Sequence, residues 1–144
     1  MAPLQKRAWL GLGTGVAISA AVLAVFATRG VASFYEDDVT RWVVTGLVVG
    51  LLAAWAGILA PAMHPGRRKA LSDERDAAIV RNALYVQLWG VIGTMVAWAI
   101  ALTEVYWDRG TIPIFFPYLM FWSVMMVNVL AQAAGILIGY RRMG

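Results

Sequence analysis

Four stretches of this chain carry no Asp, Glu, Lys, Arg or His: residues 8–28, 42–63, 82–103 and 110–140. Each exceeds the ~20 residues that a helix needs to cross a hydrocarbon core of about 30 Å. The expected fold class is therefore all-α and integral to a membrane, with four transmembrane helices as two hairpins in a compact bundle. Of the 144 residues, 61% are hydrophobic and 14% charged, against roughly half and a quarter in a soluble domain. Four spans leave no room for a soluble domain. The expectation is one membrane domain over 1–144, with helices at about 8–28, 34–61, 73–103 and 113–140 and a cytoplasmic loop at 62–72. The apolar run after Lys6 and Arg7 is longer than the core of a cleavable signal peptide.

The basic residues orient these spans. Lys6, Arg7, Arg67, Arg68, Lys69, Arg75, Arg81, Arg141 and Arg142 fall on one side of the alternating spans. Only Arg29, Arg41 and Arg109 fall on the other, among Glu36, Asp37, Asp38, Glu104 and Asp108. The positive-inside rule then places both termini and the central loop in the cytoplasm. The net charge of +4 reflects this basic skirt, and nothing clusters as a nucleic-acid footprint does. The absence of cysteine excludes disulfides, thiolate metal sites and a cysteine nucleophile.

Along the chain, the first helix ends near Arg29-Gly30. Ser33 with Glu36 matches a capping box, and Asp37 stands four residues before Arg41, so the second helix is expected to start outside the bilayer. Pro61, Pro65 and Gly66 end it. The fourth helix starts at Pro113 or at Pro117, since proline suits a first helical turn. Ala56-Gly57-Ile58-Leu59 recurs as Ala134-Gly135-Ile136-Leu137, a coincidence compatible with hairpin duplication.

Small residues recur on each span at alternating spacings of three and four. They are Gly13, Ala17, Ala20, Ala24 and Ala27, then Gly46, Gly50, Ala53, Gly57 and Ala60. The third span has Ala83, Gln87, Gly90, Thr94, Ala97 and Ala101, and the fourth Phe121, Met125, Asn128, Gln132, Gly135 and Gly139. In lipid, close backbone approach along such stripes drives helix packing. Gly46, Gly50, Gly57, Gly90, Gly135 and Gly139 are thus expected to be packing positions. The opposite side of the fourth helix, with Trp122, Met126 and Leu130, is bulky and apolar, and suits lipid or another subunit.

Charge enters the third span abruptly, in "LSDERDAAIVRNALYVQLWG" from Leu71 to Gly90. At 100° per residue Asp73, Glu74, Arg75 and Asp76 circle the helix and do not line one face. Acids in a first turn offset the positive dipole end, and Ser72 or Asp73 can cap it. Two readings stay open: a cap with an interfacial anchor, or a cytoplasmic docking ring for a partner subunit together with Arg67, Arg68 and Lys69. The segment Ser72-Asp73-Glu74-Arg75-Asp76-x-x-Ile79 resembles small bacterial predicted membrane proteins marked by a D-E-R-D segment, families of unknown function. The resemblance spans the central loop and third helix. It implies a bacterial inner-membrane protein and carries over no activity and no catalytic residue.

Asn128 and Gln132 lie one turn apart within the fourth span. Lipid offers an amide no partner, so they are either interhelical glue, toward Gln87, Thr94, Thr45 or Ser19, or a polar handle for a bound lipid, quinone or pigment. His64, the one histidine, is either a solvated loop residue or a single axial ligand of a tetrapyrrole; bis-histidine haem is excluded. No metal site is expected, and no intrinsic cofactor. Trp55, Trp98 and Trp122 lie deep and suit helix packing, the edge of a planar cofactor or a partner's helix.

An ion-coupled transporter needs ionisable groups within its spans, and an enzyme needs a nucleophile, base or metal set. This chain has neither. The expectation is a non-catalytic structural or assembly subunit of a larger bacterial membrane complex, of an electron-transport or photosynthetic kind, whose partners are lipids and other membrane subunits. The alternatives are an oligomeric channel or facilitator for a neutral solute, and a membrane-embedded regulator docking a cytoplasmic partner.

Overall fold

The computed structural model describes residues 2–63 and 74–143, all in helices and their connections with no strand among them. Helix α1 runs Pro3–Arg29, α2 is the short Ser33–Glu36, and α3 runs Asp38–Ala54. A π-helical turn, Trp55–Leu59, and a 3-10 turn, Ala60–Met63, continue α3; α4 is Glu74–Tyr106 and α5 is Phe115–Met143. Four helices are long and apolar enough to cross a membrane: α1, α3 with its π turn, α4 and α5.

The ends follow local chemistry. Proline occupies the first turn of α1, where its missing N–H is no loss, so the helix starts ahead of residue 8. Gly30 stops it at φ +77°, its N–H returning to the Phe26 carbonyl at 3.0 Å. The expected Ser33–Glu36 capping box does not form. The Ser33 hydroxyl donates back to the Gly30 carbonyl at 2.7 Å. Asp37 caps α3 instead, accepting the N–H groups of Val39 at 3.0 Å and Thr40 at 3.2 Å. Nor does Asp37 pair with Arg41. It holds Arg29 at 2.9 Å, while Arg41 takes Asp38 at 2.6 Å. As N-cap, Asp37 lies outside the helical ladder and faces the end of α1.

Pro61 explains the π turn. A proline clashes with the carbonyl four residues back, here that of Gly57. Before it the helix widens, and the Ala60 N–H bonds the Trp55 carbonyl five residues back. The tetrapeptide Ala56-Gly57-Ile58-Leu59 is therefore π-helical, whereas its repeat within α5 is α-helical.

Two apolar clusters hold the helices together. One joins Leu4 and Ala8 of α1, Leu51 and Leu59, Ile79 and Ala83 of α4, and Val129, Ala133 and Ile136 of α5. The other joins Val22, Phe34, Val44, Val48, Phe115 and Trp122. The start of α1, the end of α3, the start of α4 and the end of α5 therefore gather at one end of the molecule. Helix α5 is shared by all the others. Helix α4 packs chiefly along α5, and only 6% of its most apolar window is buried, against 28% for α5. It is attached through α5 rather than enclosed by three neighbours.

The small-residue stripes divide. In α4 and α5 they form the seam around Ala83, Gly90, Gly135 and Gly139, whereas Ala97, Ala101 and Phe121 of the same stripes are exposed. A Cβ on Gly135 would stand 2.9 Å from the Ala83 Cα, one on Gly139 2.8 Å from the Ile79 side chain, and one on Gly90 3.1 Å from Val127. In α1 and α3 the expectation fails: a Cβ on Gly13, Gly46, Gly50 or Gly57 meets nothing within 4 Å. The buried set of α1 is Leu4, Ala8, Gly11, Gly15, Ser19 and Val22, and that of α3 is Thr40, Val44, Val48 and Leu51. Both sets keep the same 3.5-residue period but sit two residues out of step with the small stripes. Two residues turn a helix by about 200°, so the small faces point outward. The glycines that α1 does use are Gly11, against Leu59, and Gly15, against Val129 and Leu130.

The bulky side of α5 is also corrected. Trp122 is 7% exposed in the second cluster, Met126 packs against both clusters, and Leu130 lies against Gly15. Because α5 is central, both of its sides meet other helices of the same chain. Exposed apolar side chains lie on every long helix, and α4, with Tyr85, Trp89, Met95 and Ile100 exposed, has the smallest buried share.

Candidate functional site

The polar side chains within the helices converge on α5. Two of them, Tyr118 and Gln132, are fourteen residues apart, about four helical turns, and both face α3 and its extension. The Tyr118 hydroxyl donates to Thr45 Oγ1 at 2.6 Å, and the indole N–H of Trp55 donates to Gln132 Oε1 at 2.8 Å. Three others face α4. Ser123 Oγ accepts the indole N–H of Trp98 at 2.7 Å, Asn128 Oδ1 accepts the Gln87 amide, and the Tyr140 hydroxyl donates to Asp76.

The pairing of Asn128 with Gln87 is one of those the sequence suggested; that of Gln132 is not. Thr94 and Thr45 spend their hydroxyl protons on carbonyls one turn back, those of Gly90 and Arg41, each at 2.8 Å. A hydroxyl on a helix has that acceptor always within reach, which leaves the longer indole of Trp55 to meet Gln132. Tryptophan as a hydrogen-bond donor was the missed signal: Trp55 and Trp98 act through their N–H groups, while Trp122 is packed in the core. Among the described residues, Ser19 Oγ, Gln87 Oε1, Trp122 Nε1 and Gln132 Nε2 are buried without a partner.

The charged start of α4 resolves residue by residue. Glu74 is exposed in the first turn, where it offsets the helix dipole. Arg75 lies over the Tyr140 ring, 5.8 Å from its centroid, and Asp76 accepts the Tyr140 hydroxyl. Arg75 and Asp76 thus fasten the first turn of α4 to the last turns of α5. His64, Arg67, Arg68, Lys69 and Asp73 lie outside the described residues.

At the opposite end, Arg29, Asp37 and Thr40 form a knot. Arg29 also reaches Thr40 Oγ1 at 2.9 Å, and Thr40 donates to Asp37 at 2.6 Å. The Thr40 hydroxyl foremost, then the N–H of Val39, hold the Asp37 carboxyl below its ordinary value of 3.8. Beside the knot, Phe26, Phe34, Phe115 and Tyr118 stack in tilted and edge-on pairs with centroids 5.1 to 6.4 Å apart. The Phe115 N–H donates to the Tyr35 hydroxyl at 3.1 Å. Among the described residues no three His, Cys, Asp or Glu converge as a metal would require. The chemistry within reach is hydrogen bonding between helices, with a charged fastening at each end.

Compared with protein-family models, with curated proteins and with solved structures, the chain matches none.

Proposed function

We propose that the chain is a non-catalytic structural or assembly subunit of a larger complex in the bacterial cytoplasmic membrane, of an electron-transport or photosynthetic kind, with both termini in the cytoplasm. The observation that carries this reading is the outward face of α3, where Gly46, Gly50 and Gly57 have open space beside them. Glycines spaced in this way let a neighbouring transmembrane helix approach backbone to backbone. The same device is in use between α4 and α5, where the glycines are filled. The outward face of α1, with Gly13, Ala17, Ala20 and Ala24 exposed, offers a second such surface.

The orientation follows from the excess of basic residues on the side of both termini and the central loop, and the gathering of helix ends described above agrees with it. The channel alternative is less favoured, because Asn128 and Gln132, the groups a neutral solute would need, are bonded to Gln87 and Trp55. The D-E-R-D resemblance supports a bacterial inner-membrane setting, and Arg75 and Asp76 serve Tyr140 before any partner.

The test is mild solubilisation of native membranes and capture of this chain, with the co-purifying subunits and the absorption spectrum recorded. Stoichiometric recovery with a larger complex, lost on G50L while G50A retains it, is the expected result. Recovery alone or as a homo-oligomer overturns the subunit reading.

A further inference from the structure

A cleft of about 390 Å³ opens between α2, the first turns of α3 and the start of α5, a size in the range of small-ligand sites. Its walls are aromatic and apolar, with Phe34, Trp42, Ile114 and Tyr118 among the lining residues. Ile114 and Trp42 are 77% and 71% exposed, so hydrocarbon in the cleft would cover surface that nothing in the chain covers.

The polar groups around it are unevenly used. Tyr118 and Thr45 satisfy one another, and Thr45 passes its proton to the Arg41 carbonyl. The donors remain. Arg41 commits one guanidinium nitrogen to Asp38, Tyr35 accepts from Phe115 and keeps its own proton, and the Trp42 indole N–H has no bond. A head that fits must be rich in acceptors, as phosphate and ester oxygens are. Beside Arg41 stands the carboxylate of Asp38, 79% exposed on its side chain. Arg41 lines the cleft and Asp38 is bonded to it, so a cation and an anion stand side by side, as a head that carries both signs requires.

We propose that this cleft seats one zwitterionic phospholipid, with its phosphate on Arg41, its ammonium at Asp38, its ester region toward Tyr35 and Trp42, and its hydrocarbon along Tyr118 and Ile114. The proposal rests on the membrane reading above but on no partner subunit. The cleft lies at the end opposite both termini, at the level where tryptophan and tyrosine mark a membrane interface. A purely anionic lipid suits it less, because Asp38 and the neighbouring Glu36 and Asp37 repel a head with no cation.

The test uses the full chain in detergent and native mass spectrometry after titration with phosphatidylethanolamine, phosphatidylglycerol or a short-chain quinone. One phosphatidylethanolamine per chain is expected, held at least tenfold more tightly than phosphatidylglycerol. R41Q should weaken it tenfold or more, and D38N should remove the preference between the two lipids. W42A, at a side chain that is mostly exposed, gives a second weakening variant if R41Q misfolds by circular dichroism. Equal retention by the wild type, R41Q and W42A overturns the proposal, as does a preference for phosphatidylglycerol or displacement of the lipid by the quinone. Flotation with liposomes reads the membrane assignment separately: a chain that floats but holds no lipid in this cleft loses only the present proposal, and one that does not float loses both.

Discussion

The indole N–H of Trp55 donates to the amide oxygen of Gln132 at 2.8 Å, joining residues 77 apart in the chain. Gln132 is 1% exposed and its Nε2 has no partner, so this one bond is what its amide receives. W55F should leave the whole amide unsatisfied and destabilise the fold by about 1–3 kcal/mol. W55F combined with Q132L should recover most of that loss, because an apolar pair leaves nothing unpaired. Unfolding of both variants in detergent, followed by circular dichroism, measures the difference.

Gln87 and Asn128 supply a second coupled pair, between α4 and α5. Replacing either by leucine should cost about 0.5–2 kcal/mol, the usual worth of a hydrogen bond between membrane helices. A double-mutant cycle should show a loss for both together well below the sum of the two. Additive losses would mean that the bond does not form.

Gly135 and Gly50 should respond in opposite ways to the same change. A methyl group on Gly135 meets the Ala83 backbone at 2.9 Å, and neither backbone can yield cheaply, so G135A should cost about 1–3 kcal/mol through overpacking. Gly50 has open space, and G50A should be neutral or stabilising by up to about 1 kcal/mol. Thermal unfolding of the isolated chain distinguishes them.

Acid should loosen the end of the molecule that carries Arg29, Asp37 and Thr40. The folded-state carboxyl of Asp37 titrates below its ordinary 3.8, chiefly because the Thr40 hydroxyl donates to it. A depressed carboxylate stabilises the fold fully above the unfolded value, and the contribution fades as pH falls through the folded one. The protection of Val39 and Thr40 against hydrogen exchange, taken relative to the intrinsic rate at each pH, should therefore fall below about pH 4. In D37N, whose amide oxygen can still cap the helix but does not titrate, that protection should change little with acid; an unchanged acid response in D37N would sink the assignment.

Tyr140 and Asp76 fasten the start of α4 to the end of α5. Y140F should raise hydrogen exchange over residues 76–83 while leaving the Trp98–Ser123 end protected. Uniform exchange changes along α4 would argue against a local fastening.

Much of this molecule was legible in order along the chain. The four uncharged runs point to four long apolar helices, Gly90, Gly135 and Gly139 lie at the seam, and Gln87, one of four partners the sequence offered to the amides, meets Asn128. The inward faces of α1 and α3 were not legible. Their small stripes and their true buried sets share one period and differ by two residues, and in helices this apolar no polar face marks the outside. The partner of Gln132 was hidden for a related reason, since any of several donors lay within range until packing placed Trp55 beside it.

Helix length, hydropathy and charge bias belong to each segment alone, because they report the exchange of water for hydrocarbon and the charge beside each span. Which side of a helix is filled, and which amide meets which indole, depends on pairs of segments far apart in the chain. Close packing selects among faces of equal period, and only the assembled helices say that α5 lies at the centre, that α4 hangs from it, and that the glycines of α3 look outward.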